Sequence, residues 1–259
     1  MIAAADFLGK PMAMSRPLDW LEARFAQSLR AAKDAPLAGK DDEREARERI
    51  DCGLLPDGTA LIALEGVIME ASAAATNLFG LCAPSRVLSV LREREADESV
   101  KRIWFFFDSP GGSVEGVPAL ANAIHACKKP TRAIVEGECC SAAYWLAAQC
   151  GRLDAPSGAI VGSVGVYVTL FDESEAYAKQ GVSVALVTTG AVKGGGAPGT
   201  KLTEPQEANA QEIVDDTFAL FRAALLRRRD LPPKSPVWQG GAYVAERAKN
   251  LGLVDAILT

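Results

Sequence analysis

Histidine is almost missing from this sequence: 259 residues contain one, His125. Any histidine-dependent chemistry must be built on that residue. It sits between Ile124 and Ala126 in an apolar helical run, where an imidazole half-buried on a helix face is the plainer reading. Cysteine is scarce as well. Six are present (Cys52, Cys82, Cys127, Cys139, Cys140 and Cys150), and none forms a C-x-x-C pair. The adjacent Cys139 and Cys140 suit neither a simple disulfide nor a tetrahedral metal site. Reduced thiols in a cytosolic protein, with no metal and no cofactor, are the expectation. Long hydrophobic runs are missing too. Asp6 interrupts Met1–Ala5 before a signal-peptide core develops, and no stretch approaches the ~20 apolar residues of a membrane span. No membrane anchor is expected. Basic residues are not in excess either. Lys and Arg number 28 against 33 Asp and Glu, a net charge of −5 that recommends no nucleic-acid partner. Arg227-Arg228-Arg229 is the one compact basic run, and it reads as a solvated helix end whose cations complement the dipole.

What is present is an ordinary globular balance, 49% hydrophobic and 24% charged, enough for a sizeable core. Residues 1–56 differ from the rest. Trp20, Leu21, Phe25 and Leu29 recur at helical spacing, which predicts a short amphipathic helix over 17–33. Lys40 to Arg49 is almost wholly charged and reads as an exposed helix or linker. This N-terminal extension is expected to pack on a neighbour or on the main domain, 57–259. From there strand and helix alternate. Strands are expected at Thr59–Met69, Ile103–Phe107, Arg132–Val135 and Val182–Thr188. Helices are expected at Pro84–Glu95, Val114–Cys127, Ser141–Gln149 and Glu204–Arg229. That order predicts an α/β fold with a largely parallel sheet.

Two strand-to-helix junctions carry chemistry. Asp108-Ser109-Pro110-Gly111-Gly112-Ser113 turns into a helix, and its glycines let backbone N–H groups face an anion or oxyanion. A Pro-Gly-Gly turn is by itself usually only a turn. Gly137-Glu138-Cys139-Cys140-Ser141-Ala142-Ala143 puts a serine at a helix start before two small residues. That suits a nucleophile whose hydroxyl and following N–H share a cleft, and it equally suits a plain N-cap. Cys139 or Cys140 is an alternative nucleophile, but no activating base can be placed for it. With His125 set aside, a base must come from Lys, Asp or Glu.

Four blocks in order resemble the signal peptide peptidase A family. They are Asp108-Ser109-Pro110-Gly111-Gly112, Cys140-Ser141-Ala142-Ala143-Tyr144-Trp145, Gly162-Ser163-Val164-Gly165-Val166 and Gly190-Ala191-Val192-Lys193. Gly240-Gly241-Ala242-Tyr243-Val244 to Gly252-Leu253-Val254-Asp255 also resembles the family's end. The likeness covers roughly 57–259 and is greatest to phage and prophage head (capsid-assembly) proteases, where Ser-Ala-Ala-Tyr commonly replaces Ser-Gly-Gly-Tyr. It implies the Clp-protease/crotonase fold, a spiral of β-β-α units, here with a long C-terminal helix. By position it implies Ser141 as nucleophile and Lys193, 52 residues on, as general base. Ser163 would help hold the lysine. The N–H groups of Gly111 and Ala142 would form the oxyanion hole, with Gly112 on the substrate side.

Ala142-Ala143 in place of Gly-Gly would tighten the cleft. The glycines after Lys193 leave Lys201 as the fallback base. A free lysine, pKa ~10.4, is seldom neutral at pH 7, so the role calls for burial away from carboxylates. The resemblance implies a polypeptide substrate, such as a capsid or scaffold protein or a signal-peptide-like fragment. It also implies a homo-oligomer, cytoplasmic or prohead-associated. An acyl-CoA enzyme of the crotonase class and a non-catalytic capsid-associated scaffold are the rivals. A Clp-type mechanism is disfavoured because no histidine follows Ser141.

Overall fold

The Phe-rich run that leads to the first glycine junction is the centre of the molecule. In the computed structural model, which describes residues 12–14 and 40–259, it is strand β6, Arg102–Ser109. One face of β6 carries Ile103, Phe105 and Phe107, none with exposed surface. β6 runs parallel between β3 (Thr59–Glu65) and β8 (Thr131–Cys140), with Phe105 beside Ile62 and Ala133, and Phe107 beside Leu64 and Val135. These rows form one apolar layer, and each buried phenylalanine contributes about 2–3 kcal/mol. The helix expected over 17–33 lies outside the described residues.

The chain divides into two compact units. The larger is Ala13–Gly165 with Leu220–Thr259; the smaller, among described residues, is Met12 with Val166–Ala219. In the larger unit an eight-stranded sheet is ordered β11-β10-β8-β6-β3-β2, with β9 on β8 and β12 on β9. Here β2 is Asp51–Leu54, β9 Arg152–Pro156, β10 Ile160–Gly162, β11 Ala242–Val244 and β12 Ala256–Leu258. A second sheet of four short strands is ordered β1-β7-β4-β5: Met12–Met14, Gly111–Ser113, Val67–Ile68 and Leu81–Cys82.

The two sheets arise from a repeated step. A long strand in the large sheet breaks at a turn residue, a short strand follows in the small sheet, and then a helix. The expected single strand Thr59–Met69 therefore breaks in two at Gly66 (φ +79°), where a methyl group would collide with the Gly80 carbonyl. β4 leads on to the helix Ala73–Phe79. After β6 the break is at Pro110, and β7 leads on to the helix Val117–Ala126. The β-β-α pattern is thus realised, with a central, mostly parallel sheet and a long C-terminal helix.

The charged run beginning at Lys40 is helix α1 (Lys40–Glu48), with Asp41, Asp42 and Glu43 at its positive end and Ala46 fully buried. The other α-helices among the described residues are α2 (Ala73–Phe79), α3 (Pro84–Ala96), α4 (Val117–Ala126), α5 (Ala142–Ala147), α6 (Ser174–Lys179), α7 (Glu204–Leu226) and α8 (Ala245–Asn250). Helix α7 ends three residues before the expected Arg229. Its basic tail is not merely solvated. Arg227 donates to Asn122 Oδ1 and Arg228 to His125, while Arg229, only 7% exposed, donates to Asp255 Oδ1 at 2.6 Å.

The smaller unit differs in kind. None of its described apolar side chains is buried. The expected strand Val182–Thr188 is not a strand here: no described residue pairs with it, and Val187 is 95% exposed. A β-branched run supplies propensity, but a strand needs a neighbour's N–H and C=O groups to complete its ladder.

Candidate active site

Ser141 follows the last residue of β8 and precedes α5. Its backbone begins the helix, since its carbonyl accepts from Trp145 N–H at 2.8 Å. Its hydroxyl does not cap that helix. The contrast is Ser72 before α2, whose Oγ accepts from Ala75 N–H with ordinary extended torsions. Ser141 instead has φ 56° and ψ −119°, a region that costs a residue with a Cβ about 1–3 kcal/mol. So the simple N-cap reading fails on torsion and on hydrogen bonding together. The hydroxyl is directed to the Gly165 carbonyl at a long 3.5 Å, and the Ser141 N–H donates to the Gly162 carbonyl at 2.7 Å.

The strain is held by what surrounds α5. All six of its residues are buried. Tyr144 donates its hydroxyl to the Leu253 carbonyl at 3.0 Å, and Trp145 stacks on Phe221 with ring centroids 4.6 Å apart. The methyl groups of Ala142 and Ala143 have no exposed surface. Ser141 itself is 1% exposed.

Sheet register brings the other blocks to this point. Ser109 pairs with Cys139, and Gly162 with Cys140, so both neighbouring loops flank Ser141. Gly111 has φ +97°, and its N–H donates to Ser109 Oγ at 3.2 Å. Ala142 N–H, the first of α5, has no acceptor within the helix. These two donors are the oxyanion candidates. Ser163 (φ 53°) is buried and donates its N–H to the Gly241 carbonyl at 2.8 Å. The Gly162 and Gly165 carbonyls and the Ser109 hydroxyl were not singled out from sequence by role. Their membership of the glycine-bearing blocks was the available signal.

Gly112 is glycine for a packing reason as well. A methyl group there would collide with the Ile68 carbonyl of β4, which pairs with it. Gly112→Ala is therefore expected to cost about 3 kcal/mol or more and to displace Gly111, which urea unfolding and turnover of the same sample would measure.

Other nucleophiles and bases are disfavoured. Cys139 and Cys140 are buried, and burial pushes the Cys139 thiol well above its ordinary value, which keeps it protonated. His125, on α4, accepts from Arg228 Nε at Nδ1 (3.2 Å) and from Arg228 Nη2 at its carbonyl (3.1 Å). Burial first, then the Arg228 and Arg227 cations, lower its pKa from 6.5. The folded chain thus favours neutral imidazole. Stability from this clasp is complete above about pH 6.5 and is lost as pH falls toward the folded value. His125→Ala is expected to leave turnover unchanged and to flatten that acid-side loss of stability, read from melting temperatures across pH 5–8.

Lys193 belongs to the smaller unit. It is exposed in a run of tight glycine turns, its N–H donating to the Gly190 carbonyl at 3.3 Å. It lines a cleft of about 320 Å³ with Val168, Leu170, Val192, Gln206 and Asn209, and no carboxylate contributes to the lining. The burial that a lysine base calls for is therefore not supplied by this unit alone. Lys201, in the same unit, is also exposed and is near enough to Asp172 to help lower that carboxyl's pKa, behind the Ser174 hydroxyl and amide, and the Leu202 N–H. Lys193 thus lines a cleft free of carboxylates, whereas Lys201 sits beside Asp172. Ser141, Ala142, Gly111, Gly112 and Ser163 are all in the larger unit.

Comparison with known proteins identifies the family. The sequence pattern described as Peptidase family S49 matches residues 123–259, and that of Clp protease matches residues 83–156, making the larger unit's core a Clp protease-like domain. A Methanocaldococcus jannaschii protein, named only provisionally as a protease, is 31% identical over 176 residues, 66% of this chain and 57% of that protein. Capsid assembly protease C of Escherichia phage lambda is 26% identical over 226 residues, 86% of this chain and 51% of the phage protein. Head-tail preconnector protein GP5 of Enterobacteria phage P21 is 26% identical over 167 residues, 64% of this chain and 33% of the relative. The chain thus spans about half the length or less of these relatives.

Proposed function

Because the chain belongs to peptidase family S49, we propose that it is a serine endopeptidase with Ser141 as nucleophile and Lys193 as general base. The observation that carries this reading is the strained, non-capping Ser141 at a strand-to-helix junction, flanked by the Gly111 and Ala142 N–H groups. Ser141 Oγ attacks the scissile carbonyl carbon while its proton passes to the neutral Lys193 amine. The carbonyl oxygen becomes the oxyanion and is held by the Gly111 and Ala142 N–H groups. Collapse breaks the C–N bond, and Lys193 returns the proton to the leaving amine. Water, deprotonated by the same lysine, then hydrolyses the acyl-Ser141 ester.

The substrate class we favour is a capsid or scaffold polypeptide cut during phage head maturation, by analogy with the named phage relatives. A signal-peptide-like fragment is the alternative within the same chemistry. A homo-oligomer belongs to the same proposal. Val182, Val184, Leu186, Val187, Val192 and Ile213 leave the smaller unit with apolar surface and no core, and a second copy of the chain would cover it. The experiment is incubation of purified protein with capsid and scaffold polypeptides, with fragments identified by mass spectrometry. New termini made by wild type and absent with Ser141→Ala support the reading. Identical fragments from both proteins, or none with any polypeptide, would defeat it.

A further inference from the structure

The glycine strand β7 has two edges, and both are occupied. On one side is β4, whose Ile68 pairs with Gly112 so closely that no side chain fits between them. On the other is β1, the chain's own Met12–Met14. We infer that β1 occupies the edge along which an extended polypeptide substrate adds, so that this N-terminal strand is a competitor carried by the enzyme itself. The inference rests on the peptidase reading of Ser141.

Gly111 opens β7, and its N–H is a proposed oxyanion donor. A substrate carbonyl aimed at that N–H lays its flanking residues alongside β7, where main-chain hydrogen bonds are made strand to strand. Packing closes the β4 side to any newcomer. The remaining row of N–H and C=O groups is the one β1 uses, and two chains cannot pair with one edge.

Sequence makes β1 a weak occupant. In sequence Pro11 directly precedes the strand, and proline cannot donate to a ladder. The strand is three residues long and joins the first residues of the chain to the rest. A short strand of this kind can be displaced by a longer substrate. It is also tethered, and so acts at a high effective concentration.

The test is the full-length double variant Ala13→Pro/Met14→Pro, which removes two backbone donors and leaves the machinery untouched. Three readouts are taken: steady-state cleavage of an extended fluorogenic peptide, hydrogen exchange of the Gly111–Ser113 amides, and fluorophosphonate labelling of Ser141. The expected result is faster exchange on β7 together with a KM lowered about tenfold at constant kcat, as for loss of a tethered competitor at roughly millimolar effective concentration. A synthetic peptide of residues 8–18 should then inhibit the variant competitively. Normal labelling with unchanged KM and unchanged exchange would overturn the inference and leave the peptidase reading standing. No labelling in either protein would bring down both. A fall in kcat with normal labelling would assign β1 a structural role and also overturn the inference.

Discussion

Ser141→Ala is expected to lower kcat/KM for a peptide substrate by roughly 10³-fold or more, since whatever oxyanion binding remains has no attacking oxygen to serve. Stability should hardly change. The lost hydroxyl made only a 3.5 Å contact with the Gly165 carbonyl, and an alanine at φ 56° carries the same strain. Ser141→Gly separates strain from chemistry. Glycine occupies positive φ without penalty, so this variant should be inactive yet about 1 kcal/mol more stable than Ser141→Ala in urea unfolding, after its greater unfolded-state entropy is counted. That ordering belongs to a residue kept in an unfavourable conformation for its chemistry. If Ser141→Ala instead kept its turnover, the nucleophile would have to be Cys139 or Cys140, against their burial.

The torsion that decides this point is invisible in sequence. A serine before a helix reads as an N-cap, and Ser72 and Ser141 cannot be distinguished until the hydroxyl of one is found capping and the other is not. The core was much more legible. Alternation in Ile103, Phe105 and Phe107 marks a strand with one buried face, whatever the neighbours are. Strand ends were less so. β8 runs to Cys140, well past the expected Val135, because Glu136-Gly137-Glu138 interrupts the apolar pattern while pairing continues through Ser109–Cys139 and Glu138–Ile160. The junction that positions Ser141 is therefore held by ladder hydrogen bonds, which composition does not report. Val182–Thr188 errs the other way, with strand composition and no partner strand among the described residues. Lys193 is a candidate through the order of motif blocks alone. Its glycine-rich surroundings carry no local signal of a base.

Lys193→Ala is expected to lower kcat/KM by about 10²- to 10⁴-fold, the usual contribution of a positioned general base. Lys193→Arg should fall as far, since a guanidinium keeps its charge and cannot take the proton from Ser141. Neither change should disturb folding, because the side chain is exposed and the turn is shaped by Gly194 and Gly196, both at positive φ. In wild type, kcat/KM should rise with pH as the amine loses its proton, and this limb should vanish in Lys193→Ala. Lys201→Ala should keep both the rate and the limb, since Lys201 sits beside Asp172 and is not part of the cleft that Lys193 lines. A small primary amine added to Lys193→Ala should restore part of the lost rate by entering the carboxylate-free cleft of about 320 Å³. Collapse in Lys201→Ala beside a near-normal Lys193→Ala would move the base eight residues along the chain, since 201 − 193 = 8. Equal, slight effects in both would take lysine out of the mechanism and leave Ser141 in need of another base.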